Sequence, residues 1–247
     1  MTLLNSVVIQ QLKRHGALSE ADEALLIELE HSSRRVVAGE ILWQEGSDVA
    51  LFCVLKEGWA YSFRYLDNGS MQILKVYLPG DIIGMRDFGF SKRLAGVAMI
   101  NAGVVCPFSP QHLSQLIRAS PTLATGVVAI AVRQQAMLTE RLVYIGRHTA
   151  QQRLGHFLYE IYLRLRRIGA VEEGRFQLPL SQEQLGDVLG LSAVHVSRTF
   201  SMLREEGLVL KERQEVFFPD PEALAKMAEF NATYLDESLP PAFLGID

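Results

Sequence analysis

Val194, Ser197, Arg198 and Ser201 fall on one face when the stretch 192–203 is wound at helical pitch. An arginine so placed can donate two hydrogen bonds to O6 and N7 of a guanine, and a valine can meet a thymine methyl. A serine there can bond a base edge or a phosphate. The chemistry is recognition of base edges in a major groove. Arg198 by itself is equally well a solvated helix residue, so weight comes from the residues that would position it.

Those residues punctuate two helices. Ser181 with Gln184 makes a capping box, and a helix starts there. Gly186 is small where two helices must cross closely. Gly190 sits where the turn needs a left-handed backbone, and Ser192 caps the next helix. Leu185, Leu189 and Leu191 of the first part face Val196, Phe200 and Leu203 of the second. Helix, glycine turn and helix make a helix-turn-helix. Ser181 and Gln182 at the start of its first helix join the candidate DNA contacts. So do Ser192, Ala193 and His195 at the start of its second.

After Gly207, residues 209–213 and 215–218 predict a short hairpin, a wing, with Lys211 and Arg213 near its tip as phosphate contacts. Arg164, Arg166 and Arg167 form a second basic cluster, which fits a solvated helix end and a phosphate contact equally.

The rest of the chain supplies a mount. Up to about residue 33 the pattern is of short amphipathic helices, with Ser19 as a cap before an acidic first turn. Residues 34–108 change to short alternating runs cut by glycines. The turn Asp67-Asn68-Gly69 between alternating stretches signals a hairpin, and Leu78-Pro79-Gly80-Asp81 a further turn. Many short strands at regular spacing predict an all-β sandwich or barrel. Pro121 sits where a helix can begin, and from Thr122 to about His148 runs a proline-free helical pattern whose apolar stripe resembles a coiled coil. Val127, Ile130, Met137, Leu138 and Ile145 of that stripe are the expected contacts with a twin helix across a homodimer. Another helix follows over residues 151–167.

Composition allows this and excludes other classes. The 247 residues suffice for more than one modest domain, with 49% hydrophobic and 21% charged residues. A net charge of -4 argues against coating nucleic acid through bulk positive charge, while leaving room for a local basic face. The two cysteines, Cys53 and Cys106, sit apart in apolar stretches, as buried thiols do. No run is long enough to span a membrane and no signal-peptide pattern opens the chain, so a cytoplasmic location is expected. The histidines are His15, His31, His112, His148, His156 and His195, none within 32–111, so a metal-dependent enzyme in the β zone is not expected. No phosphate loop or nucleophile elbow occurs, and no catalytic residue is assigned.

In this order, the β zone, long helix and winged helix-turn-helix resemble the CRP/FNR regulators. The likeness covers nearly the whole chain. It includes Ala38-Gly39-Glu40, Gln44-Glu45-Gly46, Gly58-Trp59 and the run from Leu78-Pro79-Gly80-Asp81 to Gly84. It continues in Gly190-Leu191-Ser192, Ser197-Arg198 and Leu203-Arg204-Glu205-Glu206-Gly207-Leu208.

The resemblance implies an α+β chain: an N-terminal jelly roll like a cyclic-nucleotide-binding domain, a long dimerisation helix and a C-terminal winged helix-turn-helix. The corresponding boundaries are 1–120, 121–148 and 149–247. It implies a regulator that binds an inverted-repeat operator as a homodimer, with double-stranded DNA, its twin and RNA polymerase as partners. An unidentified small effector would bind in the jelly roll, near Gly84, Met85, Arg86 and Arg93. The alternative is a small-molecule-binding jelly-roll protein without transcriptional output.

The departures bear on the effector. Where cyclic AMP-binding members carry a glutamate after the glycine, this chain has Met85, and 91–96 holds no Arg-Ser or Arg-Thr. Cyclic AMP is therefore not expected to bind. No cysteine precedes Cys53, so the iron–sulfur cluster of oxygen-sensing members is not expected either, and no cofactor is predicted. Val194 stands where many members carry an acidic base reader, so the half-site should differ in part.

Overall fold

A computed structural model describes residues 6–14, 16–236 and 238–240; His15 lies outside them. Helices α1 (Val7–Lys13) and α2 (Glu20–Leu29) open the chain. Ser19 caps α2 in a reciprocal box with Asp22, as its acidic first turn predicts. Eight strands follow: β1 (Arg34–Val36), β2 (Ile41–Trp43), β3 (Phe52–Glu57), β4 (Ala60–Tyr65), β5 (Met71–Tyr77), β6 (Ile82–Ile83), β7 (Gly96–Met99) and β8 (Gly103–Phe108). They form two four-stranded sheets, ordered β1-β8-β3-β6 and β2-β7-β4-β5. This is the all-β sandwich that the glycine-cut alternation predicts and, more closely, the jelly roll that the family resemblance implies, with Gly69 at φ 81 in the hairpin turn and Gly80 at φ 96 in the next.

The chain separates into two compact units. The first comprises Met1–Phe63, Val76–Ala136 and Leu235–Asp247; the second comprises Arg64–Lys75 and Met137–Tyr234. In the first, one core gathers Val8, Leu12, Leu26, Phe52, Val54 and Cys106. A second core lies between the sheets around Cys53, Leu55, Ile83 and Val97. Cys106 pairs opposite Val54 while Cys53 pairs opposite Pro107, so the thiols enter different cores and stay unbridged. Burial pushes Cys53 up to about 12 and Cys106 up to about 11, which keeps both as inert thiols.

Helix α3 (Pro110–Ala119) leads into α4 (Pro121–Arg147), 27 residues and ~40 Å long. Here the structure corrects the sequence expectation. Val127 and Ile130 are each 6% exposed and pack in the first core with Leu12, Leu113 and Leu123, so they do not face a twin helix. The cause is that α4 is apolar on more than one side, and the chain's own core takes the side first read as the seam. Another side is open: Val128, Leu138 and Leu142 are exposed, and Ile145 is half-buried. With Ala131 and Gln135 these residues recur in a strict heptad, 128-135-142 and 131-138-145.

The second unit is built on α5 (Ala150–Arg167), capped reciprocally by Thr149 and Gln152. Its remaining elements are β9 (Arg175–Gln177), α6 (Gln182–Leu189), α7 (Ala193–Glu205), β10 (Leu210–Glu212), β11 (Glu215–Phe217) and α8 (Pro221–Met227). β10, β11 and β9 make a small antiparallel sheet. The tip of the β4–β5 hairpin belongs to this unit: Arg141 Nη1 donates to the Leu74 carbonyl at 2.6 Å, and Gln72 Nε2 donates to the Asp187 carbonyl.

Candidate nucleic-acid interface

The helix-turn-helix is set by local chemistry. Ser181 Oγ accepts from Gln184 N at 3.1 Å, and Gln184 Oε1 accepts from Ser181 N at 2.9 Å. Gly190 ends α6 in the left-handed region at φ 66. Ser192 Oγ then accepts from His195 N at 3.2 Å and starts α7. Gly186 is required by close approach: a Cβ there would lie 2.4 Å from the Leu191 carbonyl oxygen.

One face of α7 is spent on the core. Val196 and Leu203 are fully buried, Phe200 nearly so, against Leu185, Val188 and Leu189. Each such side chain contributes ~1.5–3 kcal/mol relative to exposure. Thr199, also inside, donates its hydroxyl to the His195 carbonyl at 2.8 Å. The other face is open. Val194 is 61% exposed, and His195, Ser197 and Arg198 are exposed beside it. The structure thus brings Val194, Ser197, Arg198 and Ser201 onto one surface ridge, as their spacing predicts. Ala193 lies half-buried at its start, and Gln182 is exposed at the start of α6.

The wing forms where predicted, its first strand one residue shorter at each end than the sequence run and its second one residue shorter at its last position. Arg213 makes its turn in the left-handed region at φ 52. Lys211 Nζ donates to the Arg213 carbonyl and lies 5.6 Å from the Phe200 ring centroid. Partial burial holds the Lys211 ammonium's pKa below its usual value. Sequence reasoning missed Arg204, which lies one turn beyond Ser201 on the same side of α7 and shares a cleft with Lys211. Arg164, Arg166 and Arg167 occupy the last turn of α5, where cations complement the helix dipole; Arg164 also lies 3.6 Å from Glu160.

The expected effector residues fare differently. Gly84 is left-handed at φ 96 and opens a 3-10 turn over Met85–Asp87. Met85 is 5% exposed in the first core, so it is a packing residue and lines no open site, a second correction. Its thioether fills the space because the turn directs it inward. Arg86 is exposed. Arg93 is buried and lies close to Gly84, with Nη1 3.0 Å from the place of a Gly84 Cβ. Its guanidinium pairs with Asp87 at 3.2 Å, donates to the Leu51 carbonyl and stacks 3.9 Å from the Trp43 ring centroid. The Arg93 guanidinium is thus engaged by a carboxylate of the chain itself. Among the described residues no cluster of three or more His, Cys, Asp or Glu could hold a metal, and no helix is long and apolar enough to cross a membrane.

A jelly roll followed by a long helix and a winged helix-turn-helix defines a class of DNA-binding transcription regulators. Comparison with known proteins agrees. Residues 33–120 match the cyclic nucleotide-binding domain and 152–227 match the Crp-like helix-turn-helix domain. The nitrogen fixation regulation protein FixK of Bradyrhizobium diazoefficiens is 29% identical over 88% of this chain and 91% of its own. The transcriptional activator protein Anr of Pseudomonas protegens is 24% identical over 86% of each chain. The solved structure of FixK2 from Bradyrhizobium japonicum superposes with a TM-score of 0.72 over 78% of this chain and 95% of its own, at 22% identity. The chain belongs to the CRP/FNR family of transcription regulators, and the relatives it matches are regulators rather than enzymes.

Proposed function

We propose that the chain binds an inverted-repeat operator as a two-fold homodimer, with Arg198 reading a guanine in each half-site. The observation that carries this is the two-sided α7: Val196, Phe200 and Leu203 anchor one face, and Val194, Ser197 and Arg198 stand open on the other. The open heptad of α4, Val128, Ala131, Gln135, Leu138, Leu142 and Ile145, is the seam for a twin helix. A two-fold pair of recognition helices meets half-sites ~34 Å apart. RNA polymerase is the further partner this reading implies.

The jelly roll does not take cyclic AMP as its signal. Binding would have to displace Asp87 from a guanidinium buried with it, and would find Met85 where a ribose-gripping acid is needed. The burial of Cys53 and Cys106 in separate cores argues against an iron–sulfur cluster as well. A different small effector is left for the first unit.

The test is a binding-site selection on random duplexes with the purified full chain. It should return a two-fold repeat with a fixed guanine in each half. Recovery of no enriched motif would refute the proposal.

A further inference from the structure

Ser197, Ser201 and Arg204 repeat along α7 at four and three residues and end at the wing, where Lys211 rises from β10. Between them and Gln182 at the start of α6 is an open cleft of about 170 Å³. Its floor is apolar, made by Phe200 and Val209. Its polar lining is two cations, two hydroxyls and a carboxamide, without a carboxylate. Such a lining suits a compact anion. It suits a planar base poorly, because nothing in it accepts a hydrogen bond at a fixed place except the hydroxyls and the Gln182 amide oxygen. The Lys211 ammonium is partly desolvated over the Phe200 ring, which strengthens its attraction for an anion brought alongside.

We infer that this cleft is a phosphodiester seat, in which Arg204 and Lys211 together clamp one DNA backbone phosphate per half-site, flanking the groove read by Arg198. The inference rests on the DNA-binding reading above and adds a role for Arg204, which that reading leaves unassigned. Lys211 supplies a point charge from the wing side. Arg204 supplies a planar fork from the helix side, a shape matched to two phosphate oxygens. Bridging recognition helix and wing through one phosphate would fix the depth of α7 in the groove, which is the work of backbone contacts.

The competing view is that Arg204 is a helix-end cation, stabilising α7 through its dipole. That view predicts a change in stability and none in the salt dependence of binding. The experiment uses fluorescence anisotropy with the full chain, an operator duplex obtained by selection and a scrambled duplex, across a salt series. Arg204→Ala and Lys211→Ala are compared with wild type, and thermal unfolding confirms that each is folded.

The expected result is ~10-fold or greater weakening on both duplexes alike. The slope of log affinity against log salt should become shallower by ~0.9 per half-site, and the preference for operator should be kept. Folded variants with wild-type affinity and slope would overturn the inference. So would a loss confined to the operator, which would make Arg204 a base reader. Inorganic phosphate is titrated against the wild-type complex at constant ionic strength; competition in wild type that Arg204→Ala abolishes would support the seat, since both anions then need the same two cations. A wild-type chain that binds no duplex would sink the underlying DNA reading, and is thereby distinguishable from failure of the clamp alone.

Discussion

Arg93 Nη1 lies 3.2 Å from Asp87 Oδ2, and both side chains are almost wholly buried. Asp87 Oδ1 also accepts from Leu94 N at 3.2 Å, so this carboxylate ties the turn after β6 to the start of β7. A buried pair of this kind is costly to break from one side, because the survivor is left charged and dry. Asp87→Ala should therefore destabilise the first unit by ~3–5 kcal/mol, measured by urea unfolding. Arg93→Met with Asp87→Leu should recover most of that loss. Calorimetric titration of the wild type with cyclic AMP should give no saturable heat. Micromolar binding would show that the pair opens, and would overturn the assignment.

Gly186 provides a sharper structural test. Its α-hydrogen faces the Leu191 carbonyl across the turn, and a methyl there would need the α6–α7 crossing to widen. Gly186→Ala should cost ~1–3 kcal/mol and displace α7 from its seat. Gly190→Ala meets open space but is held at φ 66, so it should cost ~1 kcal/mol with the crossing intact. Operator affinity should fall far more for the first than for the second, at equal fraction folded. Equal losses would mean that the crossing distance does not govern reading.

Assembly is tested on two neighbouring residues. Leu142 and Val143 are both exposed apolar side chains on α4, at 67% and 50%. Leu142 falls on the heptad seam with Val128 and Gln135, while Val143 lies one step off it. Leu142→Glu would bury two like charges face to face in a dimer, a cost of several kcal/mol. Sedimentation should give a monomer for Leu142→Glu and a dimer for Val143→Glu. The opposite pattern would place the seam elsewhere.

What could be read beforehand follows the range of the forces involved. The Ser181–Gln184 capping box, the left-handed Gly190 and the wing were legible because each is fixed by residues a few positions apart. The inward set Val196, Phe200 and Leu203 was legible because one helix face decides it. The seam was not. Periodicity shows that α4 is apolar around Val127 and Ile130, but which surface covers them depends on α1 and the sheets, far away in sequence. Met85 was misread for the same reason: the family pattern marks its position as a ligand contact, whereas the turn after Gly84 sends it into the core. Arg204 was missed because its cleft exists only once the wing folds back toward α7. The grouping of the β4–β5 tip with the second unit, through Leu74 and Asp187, has no local signature at all.

His156 gives the second unit a defined acid sensitivity. The ring is 2% exposed, 4.3 Å from the Tyr144 ring and 4.6 Å from that of Phe230, and its Nδ1 has no partner among the described residues. Burial, with His148 and Arg141 adding positive charge nearby, lowers its pKa from 6.5 to about 4. The unfolded chain then binds this proton at a pH where the folded chain does not. Stability from this group is complete above pH ~6.5, is lost as pH falls toward 4, and falls no further below that. A difference of that size corresponds to ~3 kcal/mol. His156→Phe keeps a ring among its aromatic neighbours and removes the proton. The difference in unfolding free energy between wild type and His156→Phe, measured from pH 7 to pH 4, should shift by that amount in favour of the variant. A constant difference across the range would mean that His156 titrates normally.

Arg198 decides the central claim. Its guanidinium stands on the open face of α7 with Val194 one turn before it, while the opposite face is locked by Leu203 and Phe200. Lost reading therefore cannot be confused with lost folding in a variant that changes only the outer face. Arg198→Ala should cost ~1–3 kcal/mol per half-site and flatten the preference for one guanine in each half. Arg198→Lys keeps the charge but offers a point donor in place of the fork, so it should retain salt-dependent binding and lose most of the guanine preference. Val194 has no group to accept from cytosine or adenine, so the pair it faces should be read loosely, or as thymine through the methyl. Val194→Glu should create a preference for cytosine there. Selection on random duplexes with each variant, run beside wild type, measures all of these together. An unchanged motif and affinity for Arg198→Ala would show that α7 is not the reading helix.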